Sequence, residues 1–161
     1  MSVLVLDDSE NMRRILTRLL RSFGFEEFHF ASDGQEALNH LREQSVDLAI
    51  VDWHMAPLDG IDFTRQMRSM KTSPDPYLPI ILLSGFTEVE RIRIARDAGV
   101  NEILTKPVSP ESLYGRLTSI VRKPRPYIQT GQYFGPDRRR KEMAGFSGPR
   151  RRRRDKRRLA V

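Results

Sequence analysis

The stretch that decides the fold spans Val46–Gly60 and reads V-D-L-A-I-V-D-W-H-M-A-P-L-D-G. Its apolar run, Leu48–Val51, is short and continuous, which is typical of a strand covered on both faces of a parallel sheet. The run ends in a carboxylate, Asp52, and a loop rich in turn-forming residues follows. Because α/β folds bind ligands where their strands end, we expect Asp52 to lie at the mouth of the sheet.

Short apolar runs and helical patterns alternate on both sides of this stretch. Strands are predicted at residues 3–6, 28–30, 47–51 and 79–83, and around Ile103–Leu104. Helices are predicted from Ser9 to Phe23, Asp33 to Glu43, Ile61 to Met70, Thr87 to Ala98 and Ser109 to Val121. Three of them begin with capping signals: Asp33 with Glu36, Thr87 with Glu90, and Ser109 before Pro110. Five strands alternating with five helices predict a doubly wound parallel α/β sheet, whose domain ends near Arg122.

Polar side chains directly follow four of the predicted strands: Asp7 and Asp8, Asp52, Ser84, and Lys106. Because parallel strands all end on the same side, we expect these groups to converge on one crevice. Three crowded carboxylates repel one another and are best tolerated around a hard cation, and oxygen ligands suit Mg²⁺. A lysine and a hydroxyl supply the counter-charge and the hydrogen-bond donor that an added phosphoryl group needs. The pattern therefore predicts that Asp52 is a nucleophile that accepts a phosphoryl group.

Each of these residues also has a simpler explanation when it is taken alone. An Asp after a strand can form a turn or cap a helix, a lone Lys can be a solvated charge, and Ser84 can be a turn residue. The joint arrangement at successive strand ends favours the phosphoacceptor interpretation. A flavin or nucleotide binder is another occupant of such a fold, but Asp7-Asp8 stands where it would need a glycine-rich phosphate loop.

The strand-end motifs resemble the receiver domain of two-component response regulators, particularly the single-domain chemotaxis type. They are L-V-L-D-D-S-E-N-M-R-R-I-L, V-D-W-H-M-A-P-L-D-G, L-L-S-G and L-T-K-P, and the resemblance covers about residues 1–122. It implies a flavodoxin-like sheet of five parallel strands in the order 2-1-3-4-5, with five helices. It also implies a signalling protein that takes its phosphoryl group from a histidine kinase or phosphotransfer protein and then switches its contact with a downstream protein target. Such a protein phosphorylates and dephosphorylates itself but is not an enzyme in the usual sense.

The same resemblance assigns roles to individual positions of this sequence. Asp52 matches the phosphoacceptor, Ser84 the switch hydroxyl and Lys106 the phosphate-sensing lysine. The ligands implied for Mg²⁺ are Asp7, Asp8, Asp52 and the backbone carbonyl of His54. In the family, the peptide bond before the residue that matches Pro107 is usually cis.

The sequence departs from the family pattern at two positions. Ala56 stands where the first loop proline is usual, and Pro57 follows one place later, so we expect a different loop path. Ile103 stands where a switch Tyr or Phe is common, so the aromatic movement that reports phosphorylation in many relatives cannot occur here in that form.

The charge of the chain is divided between two parts. Residues 1–123 carry 15 Lys and Arg against 18 Asp and Glu, whereas residues 124–161 carry 13 against 3. Pro, Gly and like charge prevent core burial, so residues 123–161 are predicted to form a disordered basic tail behind a receiver domain of residues 1–122. The chain has no Cys, and Met1–Leu6 is too short for a signal peptide, so we expect a cytoplasmic protein.

The basic tail fits several kinds of partner. Clustered Arg attracts nucleic acid through counterion release, and Tyr127, Tyr133, Phe134 and Phe146 can stack on bases. Arg runs also suit an acidic protein or an anionic membrane surface, and a solubilising tail without a partner is the simplest alternative. A second functional hypothesis is therefore a constitutive nucleic-acid-binding adaptor that acts through residues 124–161 on an unphosphorylated receiver scaffold. The sequence is equally compatible with a monomer and with a homodimer.

Overall fold

A five-stranded parallel sheet forms the centre of the computed structural model, which describes residues 1–85 and 87–139 and the backbone of residues 158–159. Its strands are β1 (Ser2–Leu6), β2 (Glu27–Ala31), β3 (Leu48–Asp52), β4 (Ile80–Ser84) and β5 (Glu102–Thr105). The connecting helices are α1 (Glu10–Ser22), α2 (Gly34–Glu43), α3 (Gly60–Met67), α4 (Val89–Ala98) and α5 (Pro110–Arg122). The strand order β2-β1-β3-β4-β5 confirms the predicted flavodoxin-like fold.

Both faces of the sheet are covered by helices, as the continuous apolar strands predict. Successive residues of β1 point to opposite faces: Leu4 and Leu6 pack with α2, α3 and α4, whereas Val3 and Val5 pack with α1 and α5. Within the described residues, no helix has both the length and the apolar character that a membrane span requires. The sheet leaves only its edges and the ends of its strands available for a site.

Most helix starts follow their sequence signals. Asp33 accepts hydrogen bonds from two backbone amides of α2, and Ser109 forms a reciprocal capping box at the start of α5. The capping box predicted at Thr87 is wrong. The N-cap of α4 is Glu88, and it makes no side-chain cap hydrogen bond, because the helix begins one residue later than the pattern requires.

The chain after α5 contains a β-hairpin that the sequence analysis did not predict. Strands β6 (Tyr127–Thr130) and β7 (Tyr133–Pro136) pair antiparallel, and β8 (Arg158–Leu159) pairs with the other edge of β6. The prediction that residues 123–161 lack regular structure is therefore wrong for the hairpin. Residues 140–157 and 160–161, including Phe146, lie outside the described part of the chain, and their predicted disorder stays a prediction.

The hairpin folds because the receiver domain supplies the apolar surface that a 38-residue basic segment lacks on its own. The rings of Tyr127 and Phe134 pack against Tyr77, with centroid separations of 5.3 and 5.1 Å. The Tyr127 hydroxyl donates to the Tyr77 carbonyl at 2.8 Å. Tyr127 and Phe134 are buried, so in this structure they are unavailable to stack on bases, contrary to the prediction.

Candidate functional site

The candidate site lies at the carboxyl edge of the sheet. Asp7 directly follows β1, Asp52 ends β3, Ser84 ends β4, and Lys106 directly follows β5. Two backbone hydrogen bonds hold these strand ends in register: Trp53 N donates to the Leu83 carbonyl at 3.0 Å, and Lys106 N donates to the Ser84 carbonyl at 2.8 Å. The parallel topology thus assembles on one edge the residues that the sequence scatters over a hundred positions.

The three acidic residues form one cluster. Asp7, Asp8 and Asp52 each place a carboxylate oxygen within 4.8 Å of the others. Asp7 and Asp52 are buried, whereas Asp8 is exposed. Asp7 Oδ1 accepts a hydrogen bond from Ser9 N at 2.8 Å, but the buried Asp7 Oδ2 has no hydrogen-bond partner among the described residues. An all-oxygen donor set, in which the buried Asp7 Oδ2 accepts no hydrogen bond from the described residues and has a long ion pair of 3.5 Å with Lys106 Nζ, fits a hard divalent cation such as Mg²⁺.

Lys106 supplies the counter-charge within the acidic cluster. Its Nζ lies 2.7 Å from Asp52 Oδ1 and forms a longer ion pair with Asp7 Oδ2 at 3.5 Å. Burial acts to lower the pKa of Lys106, but the hydrogen bond and charge of Asp52, together with the charge of Asp7, outweigh it, and the pKa is raised. The ammonium is therefore charged at neutral pH and partly neutralises the acids.

The acidic cluster is electrostatically unfavourable for Asp7. Burial raises the pKa of Asp7. The Ser9 hydrogen bond and Lys106 act to lower it, whereas the charges of Asp52 and Asp8 raise it further. In the absence of a cation, the ionised Asp7 therefore lowers the stability of the fold, and a bound cation would relieve that cost.

We expect Asp7→Asn to raise the free energy of unfolding at neutral pH without Mg²⁺ by about 1 kcal/mol, a typical gain when functional strain is removed. A carboxyl whose pKa is higher in the folded state destabilises the fold increasingly as the pH rises from its ordinary value of 3.8 through the raised one. The stabilisation should therefore shrink as the pH falls toward about 4. Urea unfolding with and without Mg²⁺ measures both effects, and the variant should lose most of the Mg²⁺-dependent stabilisation. Asp62→Asn, which removes an exposed carboxylate, is the control.

The other predicted site residues lie around the acids and the lysine. Ser84 is buried at the end of β4, and the side chain of His54 is exposed in the loop that follows β3. The bond between Lys106 and Pro107 is cis, as the resemblance implies, and the bond between Ala56 and Pro57 is also cis. The fold thus brings the predicted residues to this edge, and the roles assigned to all of them stay predictions: Asp7, Asp8, Asp52, Ser84, Lys106 and the His54 carbonyl.

Three residues that the sequence analysis missed support the site. A Cβ atom at Gly60 would lie 2.2 Å from the Asp52 backbone carbonyl, so only glycine permits this approach of α3 to β3. Arg13 donates to the Asp7 carbonyl at 2.6 Å, and the Arg91 guanidinium lies 5.6 Å from the centroid of the Trp53 ring. The glycine could have been suspected from its place at the end of the turn-rich loop that follows Asp52. The roles of Arg13 and Arg91 could not have been predicted, because a helix side chain that contacts the end of a strand leaves no recognisable pattern in the sequence.

Comparisons with known proteins agree with this geometry. Residues 3–118 match the model of the response regulator receiver domain. Chemotaxis protein CheY-3 of Vibrio cholerae serotype O1 is 33% identical over 123 residues, which are 76% of this chain and 93% of that protein. Chemotaxis protein CheY of Pseudomonas aeruginosa is 32% identical over 76% of this chain and 98% of its own length. The solved structure of the chemotaxis response regulator CheY4 of Vibrio cholerae has a TM-score of 0.67 at 29% identity, over 74% of this chain and 97% of that one. On the strength of the fold, the acidic edge and these matches, the chain belongs to the response regulator receiver domain family.

Proposed function

We propose that this protein is a phosphorylation-controlled switch in which Asp52 accepts a phosphoryl group from a histidine kinase or phosphotransfer protein. The phosphorylated form then changes its contact with a downstream protein target. The observation that carries the proposal is the Asp52 carboxylate, buried between two other acids and 2.7 Å from the Lys106 ammonium. This combination of a nucleophilic carboxylate and a fixed cation suits the transfer of a phosphoryl group to an aspartate.

In the proposed reaction, a carboxylate oxygen of Asp52 attacks the phosphorus atom of the donor. A new phosphorus–oxygen bond forms to Asp52 as the bond to the leaving group breaks, and the product is an acyl phosphate. Asp7, Asp8, Asp52 and the His54 carbonyl would hold Mg²⁺, which when bound supplies positive charge for the phosphoryl oxygens. Lys106 already contacts Asp52, so after the transfer its ammonium could pair with the phosphoryl oxygens instead of the carboxylate. The Ser84 hydroxyl would donate a hydrogen bond to the same group.

The output differs from that of relatives with an aromatic residue in β5. Ile103 occupies that position and packs, partly buried, against the apolar layer between the sheet and α2, α3 and α4. A branched aliphatic side chain has no ring to rotate into a space vacated by a moving loop. We propose that the signal instead leaves the site through backbone movement after β4 and through the Arg91 side chain that α4 places over Trp53.

The test is to incubate the full chain with Mg²⁺ and acetyl phosphate and to measure the intact mass. The wild type should gain one phosphoryl group, Asp52→Asn should gain none, and the matched variant Asp62→Asn should behave as the wild type. The fluorescence of Trp53, the single tryptophan and the neighbour of Asp52, should change only in the proteins that become phosphorylated. Equal incorporation by Asp52→Asn, or none by the wild type, would overturn the proposed function.

A further inference from the structure

The segment from Arg125 to Arg139, which we call the C-terminal latch, docks on the receiver domain at the ends of β4 and β5 that lie opposite the acidic cluster. Arg125 donates to the Asn101 carbonyl at 2.9 Å, just before β5, and also to the Asp137 carbonyl. Asp137 N in turn donates to the Pro126 carbonyl at 2.7 Å. These bonds close the latch on itself and fix it to the sheet.

The C-terminal latch also contacts the last turn of α4. Arg138 forms an ion pair of 2.5 Å with Asp97 in the last turn of the helix. Gly135, at φ +155°, approaches so closely that a Cβ atom there would lie 3.3 Å from the Cα of Gly99, which ends α4. Because both contacts need α4 in its present position, a small displacement of the helix would break them.

The first half of α4 contacts the candidate site. Arg91 lies over the ring of Trp53, the residue that follows Asp52, whereas Asp97 and Gly99 meet the C-terminal latch at the other end. This ten-residue helix spans about 15 Å. The helix therefore gives the phosphoacceptor and the latch a shared element whose position both can influence.

Docking of the C-terminal latch is a balance of opposing effects. It buries the Tyr127 and Phe134 rings, which favours the docked state. It also covers Arg68, whose guanidinium donates to the Gly99 and Leu78 carbonyls and to Asn101 Oδ1 beneath the Tyr127 ring. Burial lowers the pKa of Arg68, so the charged group would be better hydrated if the latch opened. The desolvation of this cation therefore offsets part of the free energy that burial of the two rings supplies.

We infer that the C-terminal latch is an intramolecular regulatory element: it docks on the unphosphorylated receiver and loosens when Asp52 is phosphorylated, with α4 carrying the change. The inference rests on the proposed function of Asp52. Its direction follows from the contacts of α4, because a displacement of the helix on phosphorylation would break the Arg138–Asp97 pair and the close approach of Gly135 to Gly99. Coupling is reciprocal, so loosening the latch by mutation should make phosphorylation more favourable by the same factor.

The primary experiment is amide hydrogen exchange of residues 127–136 in the full chain, with and without Mg²⁺ and acetyl phosphate. The intact mass of each sample reports whether Asp52 is phosphorylated. We expect the hairpin amides to exchange about tenfold faster in the phosphorylated protein, a typical size for coupling between sites. If the mass shows phosphorylation and the exchange is unchanged or slower, the latch inference fails and the proposed function stands. If no phosphoryl group is incorporated, both fail.

Variants of the Arg138–Asp97 ion pair test the contact itself. Arg138→Gln and Asp97→Asn should each speed exchange of the hairpin amides without a phosphodonor, and the charge-reversed double variant Asp97→Arg, Arg138→Asp should restore protection. Arg93→Gln breaks the Glu90–Arg93 pair on the same helix, away from the latch, and should leave exchange unchanged. Arg138→Gln should also reach a higher phosphorylated fraction at limiting acetyl phosphate. If Arg138→Gln matches the wild type in both measurements, the structure's link between latch and helix has no regulatory effect, and the inference is wrong.

Discussion

Gly60→Ala should lower the free energy of unfolding by about 3 kcal/mol, the upper end of the usual range for overpacking. The added Cβ would lie 2.2 Å from the Asp52 carbonyl oxygen and 3.0 Å from a methyl group of Leu82. The Asp52 carbonyl oxygen belongs to the backbone, so it cannot rotate out of the way as the end of a flexible side chain can. To fit the methyl group, α3 must move off β3 or the end of β3 must shift, and either change displaces Asp52. We therefore expect urea denaturation to show the loss of stability and intact-mass measurements to show slower phosphorylation.

Gly115→Ala is the matched control for this prediction. Gly115 lies within α5, and a Cβ atom there would meet no other atom within 4 Å. Alanine in a helix interior is favoured over glycine by about 0.5–1 kcal/mol, so this variant should be more stable than the wild type. If Gly60→Ala proved as stable as the wild type, α3 would not pack against β3 as closely as the structure shows.

Lys106→Met should lower stability in the absence of Mg²⁺ by about 2 kcal/mol, less than the loss of a fully buried ion pair, because the lysine side chain is 28% exposed. The reason is that Asp7, Asp8 and Asp52 would lose their counter-charge. The folded-state pKa of Lys106 is raised, so its stabilising contribution is complete below pH 10.5 and is lost as the pH rises through the raised pKa. The difference between wild type and variant should therefore be constant near neutrality and disappear only in strong alkali.

The same variant should bind Mg²⁺ about tenfold more tightly, equivalent to roughly 1.4 kcal/mol. The Lys106 ammonium lies 2.7 Å from Asp52 Oδ1 and 3.5 Å from Asp7 Oδ2, so it competes with a metal ion for the same oxygens. Calorimetric titration with MgCl₂ measures the affinity, and Lys71→Met, which removes an exposed lysine, is the control. Unchanged or weaker binding would mean that the metal does not take its ligands from the oxygens that Lys106 contacts.

The alternation of buried strands and helices could be predicted because its determinants are local, whereas the strand order 2-1-3-4-5 was implied by the resemblance to receiver domains. Runs such as Leu48–Val51 and Ile80–Leu83 are continuous and apolar, and they are buried on both faces in the structure, as the pattern requires. Helix ends were less predictable. The sequence pattern extends the third helix to Met70, whereas α3 ends at Met67, and it predicts a cap at Thr87 that α4 does not use. The exact ends of these helices depend on packing against neighbouring elements, and a short stretch of sequence does not show that packing.

The candidate site was predictable to the extent that it follows from topology. Once β1, β3, β4 and β5 are parallel, the residues that follow them must share an edge, and Asp7, Asp52 and Lys106 do so. What the sequence could not provide was the support from other elements. The contact of Arg91 with Trp53 depends on the position of α4 in three dimensions.

The C-terminal latch was missed for a related reason. Composition assigned residues 124–161 to a single basic segment, but the first part of it carries the aromatic residues Tyr127 and Phe134, and their packing partner, Tyr77, lies 50 positions away from Tyr127. The composition of a segment indicates only whether that segment can fold alone. Here the apolar surface comes from the preceding domain, and the charge of Arg138 is matched by Asp97.

The burial of Arg68 beneath Tyr127 has a practical consequence for anyone who prepares this protein. The family match ends at residue 118, which invites truncation there or at the end of α5. A recombinant fragment cut at that point would lack Tyr127, which packs on Tyr77 and covers Arg68. It would therefore expose the apolar Tyr77 ring and the Arg68 guanidinium to solvent, and we expect it to aggregate more readily. A fragment that keeps Arg68 covered must therefore extend at least to Arg139, beyond the residues that the family match includes.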